Sequence, residues 1–240
     1  MYGALTALAL IAGLAAAVHF AGRLGINPNK IWSLCLIGIL TTLVGARLLL
    51  VLSNLAAFRA HPVWLLGLTN IHSQWVIALS FVAGLGAAVL YALAEGIPVL
   101  AALDCVAPAA AVAVAINRVG AFLAGLDYGL PTTKPWAVTY TSLTAAFWYR
   151  TPLGIALHPV QLYEAAASLG ILAVLVWRLP RRRQDGEMAG AWLFLYGLAS
   201  FFLGFYRAGV DEAGFSEAVA IVSVIAGGAL WIRRSRVVGG

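Results

Sequence analysis

The sequence predicts an all-α membrane protein, a bundle of seven transmembrane helices with its N-terminus outside, its C-terminus inside and a small cap on the outer face. Three observations predict it. The chain is 62% hydrophobic and 10% charged, with mean hydropathy +0.94, where a soluble domain carries about 25% charged residues. Its apolar residues fall into seven runs, at 2–21, 31–53, 75–94, 99–124, 160–178, 189–207 and 215–232, each close to the roughly 20 residues a span needs. Positive charge is also unevenly divided. With the first run starting outside, the inside connections hold nine positive residues: Arg23, Lys30, Arg178, Arg181, Arg182, Arg183, Arg233, Arg234 and Arg236. The outside loops hold Arg59, Lys134 and Arg150, so the bias favours this orientation.

In order, the first run, Tyr2–Phe20, has no Lys or Arg before it, and Arg23 and Lys30 after it. A secretory signal carries its positive charge first, so this run is expected to be a retained span. The second run carries Cys35 and, near its end, Arg47. The loop Asn54–Gln74 follows, with His61, Trp64 and His72. The third run ends at Glu95–Ile97, an inside turn without Lys or Arg. The fourth contains Asp104, Cys105 and Arg118, then opens into Leu126–Leu157, which holds Trp136, Tyr140, Trp148 and Tyr149. Such aromatics settle at the membrane–water interface. The loops 54–74 and 126–157 are therefore expected to form the extracytoplasmic cap.

The fifth run starts at His158-Pro-Val-Gln-Leu-Tyr-Glu. Read locally, His158 is an N-cap, Pro159 the first helical residue and Gln161 the partner in a capping box. A carboxylate at Glu164 lies near that helix N-terminus, where negative charge is favoured. Cys35 and Cys105 both lie in apolar runs and read as core residues, not a disulfide. No polar stretch is long enough for a second core, so residues 1–240 form one integral-membrane domain. The net charge of +6 comes largely from arginines at span ends and does not point to nucleic acid. Gly120-x-x-x-Ala124 and Gly125-x-x-x-Gly129 permit close helix approach. There is no internal repeat.

Ionisable residues inside a bilayer are costly and usually mark a pathway or a site. With this topology Arg47, Arg118 and Arg207 end the second, fourth and sixth runs, Glu164 begins the fifth, and Tyr2, Asp127 and Tyr128 flank the outer face. All fall in the outer half; Asp104 and Glu95 lie toward the inside. Each arginine could snorkel to the interface or pair structurally with Glu164 or Asp127. Three arginines at one depth, with only those two acids beside them, point instead to an anionic ligand. Guanidinium groups suit phosphate through bidentate hydrogen bonds, and a phosphate at that depth implies a phospholipid head group.

The segment Arg118-Val-Gly-Ala-Phe-Leu-Ala-Gly-Leu-Asp-Tyr-Gly-Leu-Pro-Thr, then Pro135-Trp-Ala-Val, then His158-Pro-Val-Gln-Leu-Tyr-Glu, resembles the signature of the prolipoprotein diacylglyceryl transferases. The resemblance extends through Tyr2-Gly3, Gly45-Ala-Arg47-Leu, Ser80-Phe81, Asp104, Ala107-Pro108 and Tyr196-Gly197 to Arg207, in order along nearly the whole chain. It implies a multi-pass enzyme of the bacterial inner membrane. Such an enzyme moves the diacylglyceryl group of phosphatidylglycerol onto the lipobox cysteine thiol in a prolipoprotein signal peptide, releases glycerol phosphate, and needs no metal or organic cofactor. It implies that Arg118 binds the lipid phosphate and that Tyr2, Arg47, Gly129 and Arg207 belong to the site. On this reading Arg118, Arg207, Glu164 and Tyr2 are expected to be catalytic, and Arg118, Arg47, Gly120, Gly125, Asp127, Gly129, His158, Gln161 and Tyr163 to contact substrate. Several polar family positions are apolar or small here: Val82, Ala121, Leu126, Ser200 and Gly204.

In that reaction the nucleophile is the substrate's thiol, so the protein must hold the phosphate leaving group and ease removal of a proton with a pKa of about 8.5. A positioned base adds roughly 10²–10⁴-fold; Glu164, Asp127, His158 and Tyr163 are the candidates, and Glu164 can instead orient an arginine. Two other readings differ in class. One is a divergent relative that binds or translocates phospholipid, or modifies another acceptor. The other is a transporter, against which stand the outer-leaflet position of the polar residues and the absence of repeats, since transporter sites lie near the midplane.

Overall fold

The computed structural model describes residues 2–55, 59, 74–208 and 213–232. The predicted cap segment containing His61, Trp64 and His72 lies outside the described residues, as do Arg233, Arg234 and Arg236. The helices are α1 (Tyr2–Arg23), α2 (Pro28–Ser53), α3 (Gln74–Ala94), α4 (Val99–Ala124), the short α5 (Leu143–Tyr149), α6 (Val160–Arg178), α7 (Glu187–Gly204) and α8 (Ala213–Ile232). Among the described residues, six are long and apolar enough to cross a membrane; the apolar stretch of α8, Ser216–Ile232, is shorter. The protein is thus a helical bundle of membrane type. Two short strands, β1 (Val138–Thr139) and β2 (Ala156–Leu157), pair antiparallel in the loop between α4 and α6.

Helix starts fall a few residues outside the apolar runs where local chemistry extends them. α2 begins at Pro28 because the Asn27 side chain accepts from Asn29 N at 2.9 Å and proline fits the first helical turn. α6 begins at Val160 with Pro159 as its cap, one residue later than the expected cap at His158.

α4 is the central helix. Half of its apolar window is buried, more than in any of the other five. It packs along α1 on one side and against α6 and α7 on the other, while α2 packs along α3, and α7 along α8. The α7–α8 contact is close because both faces carry glycine: a Cβ on Gly227 would stand 2.4 Å from Phe194 N. α3 and α4 scarcely touch.

At the Val99 end of α4 the bundle is shut. One apolar cluster joins Ala17, Ala21, Ile31, Ala92, Ile97 and Cys105; another joins Phe20, Ile171, Leu175, Met188 and Ala191. Cys105 is a buried core thiol, as expected, and Cys35 is half-buried. Asp104, wholly buried, accepts from Arg182 Nη1 (2.7 Å), Gly186 N (2.8 Å) and Ala189 N (2.9 Å). Glu187 likewise accepts from Arg178 Nη2 and from Arg183 N at 2.8 Å. Asp104 anchors the α6–α7 connection onto α4, and Glu187 braces that connection from within. The Glu95 turn carries no cation of its own, but Lys30 Nζ bonds the Glu95 carbonyl (2.8 Å) and carboxylate (3.1 Å).

Candidate active site

The site forms at the other end of α4. The helix stops at Gly125, whose φ of +79° lets its N–H and that of Leu126 close onto the carbonyls of Phe122 (3.2 Å) and Ala121 (2.9 Å). Asp127 is also left-handed, φ +55°. Aspartate tolerates that conformation better than most residues. The chain therefore doubles back, and the Asp127 carboxylate meets Arg118 Nη1 at 2.6 Å. Arg118 Nε lies 2.7 Å from Glu164 Oε2, and Arg207 Nη2 donates to Glu164 Oε1. The structure thus brings four predicted residues, from three parts of the chain, into one ion-pair group around Glu164, whose side chain is only 3% exposed.

Arg207 follows α7 and is positioned through its backbone. Gly129 pairs with Arg207, Leu130 N donates to Tyr206 O (2.8 Å) and Ala208 N to Tyr128 O (3.1 Å). On the other side His158 N donates to Leu130 O at 3.0 Å. Three strands of chain lie side by side, so closely that a Cβ on Gly129 would stand 2.4 Å from His158 O. This is why the position carries glycine.

The surplus of positive charge expected from the sequence is not found around Glu164. Arg118 and Arg207 are balanced by Glu164 and Asp127, so this group has no surplus positive charge. Arg47 is half-buried on α2, which packs chiefly on α3 and α1. What the group offers an anion is donors. Each guanidinium carries five N–H groups, and Arg207 Nε is buried without a partner among the described residues. A cavity of about 200 Å³ lies against Arg118, lined also by Thr6, Asn117 and Tyr196.

Tyr196 is the main residue the sequence argument did not place in the site. It faces Arg118 within hydrogen-bonding reach and stacks on Trp192 at 5.2 Å. A phenol one turn beyond a tryptophan, in an otherwise apolar run, is the signal that marks it. Asn117, whose Nδ2 donates to Thr6 Oγ1 at 3.1 Å, was legible only as the residue before Arg118.

The other predicted residues form two flanking groups. Tyr2 packs edge-on to Tyr149 at 6.4 Å, and Gly120 presents a bare face to Leu5 and Tyr2. His158 Nδ1 lies 3.3 Å from the Tyr163 hydroxyl, which accepts from Trp136 Nε1 at 2.6 Å. Gln161 does not reach back to close a capping box. It is the second helical residue, and its Nε2 donates to Leu126 O at 2.6 Å, holding the end of α4 against α6. Tyr140 donates to Phe122 O at 3.0 Å, and burial pushes its phenol up despite the Gln161 hydrogen bond, so it acts as a donor. Glu164 has an oxygen toward each guanidinium, the arrangement of a brace for two arginines. Of the apolar substitutions, Ala121 is fully buried, while Val82 is 64% exposed on α3.

The family model described as prolipoprotein diacylglyceryl transferase matches residues 1–233. The chain belongs to the prolipoprotein diacylglyceryl transferase family. Among its relatives, the phosphatidylglycerol–prolipoprotein diacylglyceryl transferase of Clostridium tetani is 28% identical over 94% of this chain and 89% of its own length. Proteins of the same name from Cereibacter sphaeroides and Geobacter sulfurreducens are 33% and 31% identical, over 84% and 86% of this chain and 74% and 76% of their own lengths.

Proposed function

We propose that the protein transfers the diacylglyceryl group of phosphatidylglycerol to the lipobox cysteine of prolipoproteins. The observation that carries this is the pair of guanidiniums, Arg118 and Arg207, braced across buried Glu164 beside a cavity, in a chain matched by this family along nearly its whole length. In the reaction the cysteine sulfur forms a bond to the terminal glyceryl carbon of the lipid. The carbon–oxygen bond to phosphate breaks, glycerol phosphate leaves with the electron pair, and the thiol proton passes to a base or to water. Donors aimed at the leaving phosphate stabilise the charge that develops there.

In this reading Arg118 and Arg207 hold the phosphate, assisted by Arg47. Glu164 orients both guanidiniums, Asp127 orients Arg118, and Tyr2 closes the site from α1. His158, Gln161 and Tyr163, with Gly120, Gly125 and Gly129, shape the mouth through which the signal peptide enters. α8 is the seventh span, and the single domain lies in the bacterial inner membrane with its N-terminus outside, so that the site opens to the outer leaflet. The division of positive residues between connections supports that orientation.

Purified protein incubated with labelled phosphatidylglycerol and a lipobox peptide is expected to yield a thioether-linked diacylglyceryl peptide and free glycerol phosphate. Lipid binding without product would replace this reading with that of a relative that only binds or moves phospholipid.

A further inference from the structure

A second cavity, about 370 Å³, lies between the α1–α4 pair and the α2–α3 pair. It exists because α3 and α4 scarcely meet. Its walls are apolar apart from Cys35 and Thr42, and the Thr42 hydroxyl is turned onto Gly38 O at 2.9 Å. Small side chains dominate the α4 wall, where Ala102, Ala109, Ala110 and Ala113 leave the space open.

This crevice adjoins the cavity at Arg118. The two share Leu10 and Ala113 as walls. On α4 the lining runs as one helical stripe, Leu103, Val106, Ala110 and Ala113 in the crevice, then Asn117 in the polar cavity. On α1, Thr6, Leu10, Gly13 and Ala17 do the same. The stripe is polar at the Arg118 end and apolar below it. From Ala113 to Val99 it covers about 20 Å at 1.5 Å per residue, somewhat more than one leaflet of hydrocarbon, about 15 Å. At its far end the crevice meets the packed cluster that includes Ala88, Ala92 and Ala102.

We propose that this crevice receives one acyl chain of the lipid whose phosphate sits at Arg118, and that its packed floor limits how long that chain can be. The inference rests on the transferase reading for the identity of the head group. A chain rooted at Arg118 would run down the stripe between the helix pairs and end against the alanines of the floor. The small residues are thereby specificity determinants. A larger side chain on the α4 stripe raises the floor, and the higher it sits the shorter the chain that still fits.

The test has two arms. In the first, Val106→Phe and Ala110→Phe are assayed for transfer from dioctanoyl, dilauroyl and dipalmitoyl phosphatidylglycerol. Misfit of even one methylene in an apolar site costs about tenfold or more in kcat/KM. Val106→Phe is expected to lose that factor on the dipalmitoyl lipid relative to dioctanoyl. Ala110→Phe, one turn nearer Arg118, is expected to extend the loss to dilauroyl. An unchanged ratio of long to short chains in both variants would overturn the proposal. The second arm does not depend on turnover. Phosphatidylglycerol with a diazirine at the end of a palmitoyl chain is photolysed with wild-type protein. Adducts at Ala88, Ala92 or Ala102 that disappear in Arg118→Gln and on competition with unlabelled phosphatidylglycerol support it. Adducts indifferent to Arg118 mean that surrounding membrane lipid fills the crevice, and sink it. Absence of transfer by the wild type, with Arg118-dependent adducts present, would overturn the transferase reading and leave the acyl crevice standing.

Discussion

Asp104 and Glu164 are both buried carboxylates held by arginine in an apolar bundle, yet their surroundings differ. Asp104 is saturated: Arg182 and the backbone N–H groups of Gly186 and Ala189 cover its two oxygens, and no exposed surface remains. Glu164 has no backbone donor among the contacts seen. It lies between two side-chain cations, Arg118 and Arg207, one of which keeps a buried Nε without a partner among the described residues, and a cavity adjoins the group. Some 20 Å along α4 separates Asp104 from Arg118. The difference teaches that burial of charge does not by itself mark a site. A carboxylate closed off by backbone donors is a fastener. One that holds guanidiniums with donors to spare leaves groups able to meet a ligand.

The comparison breaks first at Asp104. Replacing it with Ala strands two backbone donors in the interior and leaves Arg182 paired with Asp185 alone. Breaking a buried pair in this way costs about 3–5 kcal/mol. Unfolding in detergent, followed by circular dichroism, is expected to show that loss, while the fraction that remains folded still binds phosphatidylglycerol. Loss of lipid binding by folded Asp104→Ala protein would mean that the two ends are not independent. At Arg118 the signature should reverse. In the proposed reaction Arg118→Gln removes a donor to the leaving phosphate, so transfer should fall about 10²–10³-fold, some 2.7–4 kcal/mol, with a smaller loss of stability than in Asp104→Ala because Arg207 still pairs with Glu164. A stability loss as large as that of Asp104→Ala would make Arg118 a fastener too.

Gly129→Ala tests a residue that belongs to both descriptions. The added Cβ would press on His158 O and Val160, and overpacking of this kind costs about 1–3 kcal/mol. Because Gly129 is paired with Arg207, the same shift would move a guanidinium off Glu164. Stability and transfer are therefore expected to fall together. Transfer falling alone would point to direct substrate contact by this glycine.

The bundle was largely legible in the sequence, and the site partly so. The six long spans follow from runs of apolar residues that admit no other environment. Arg118, Arg207 and Glu164 stand out because charge is scarce in such runs. Asp127 was expected beside Arg118, but nothing in the pattern says that two left-handed residues would turn its carboxylate back onto the guanidinium. Tyr196 was hidden because a phenol in an apolar span is ordinary until its partner is known. Gln161 misled because a glutamine near a helix start fits a capping box, while its real acceptor, Leu126 O, is 35 residues away in sequence. The start of α6 shows the limit: a local capping pattern at His158 and Gln161 gives way to a partner that the tertiary fold supplies.

The smallest expected effect separates the flanking aromatic group from the ion-pair group. The Tyr163 hydroxyl accepts from Trp136 and faces His158 Nδ1. Tyr163→Phe removes both contacts at a half-buried position and should cost about 0.5–1.5 kcal/mol. If the group only docks the 126–157 loop over α6, transfer at saturating peptide should be little changed, with a modest rise in KM for the peptide and the pH–rate profile superimposable on that of the wild type. A changed pH dependence of kcat would instead place the His158–Tyr163 pair on the path of the thiol proton. Glu164, already engaged by both arginines, would then be relieved of any role as the base.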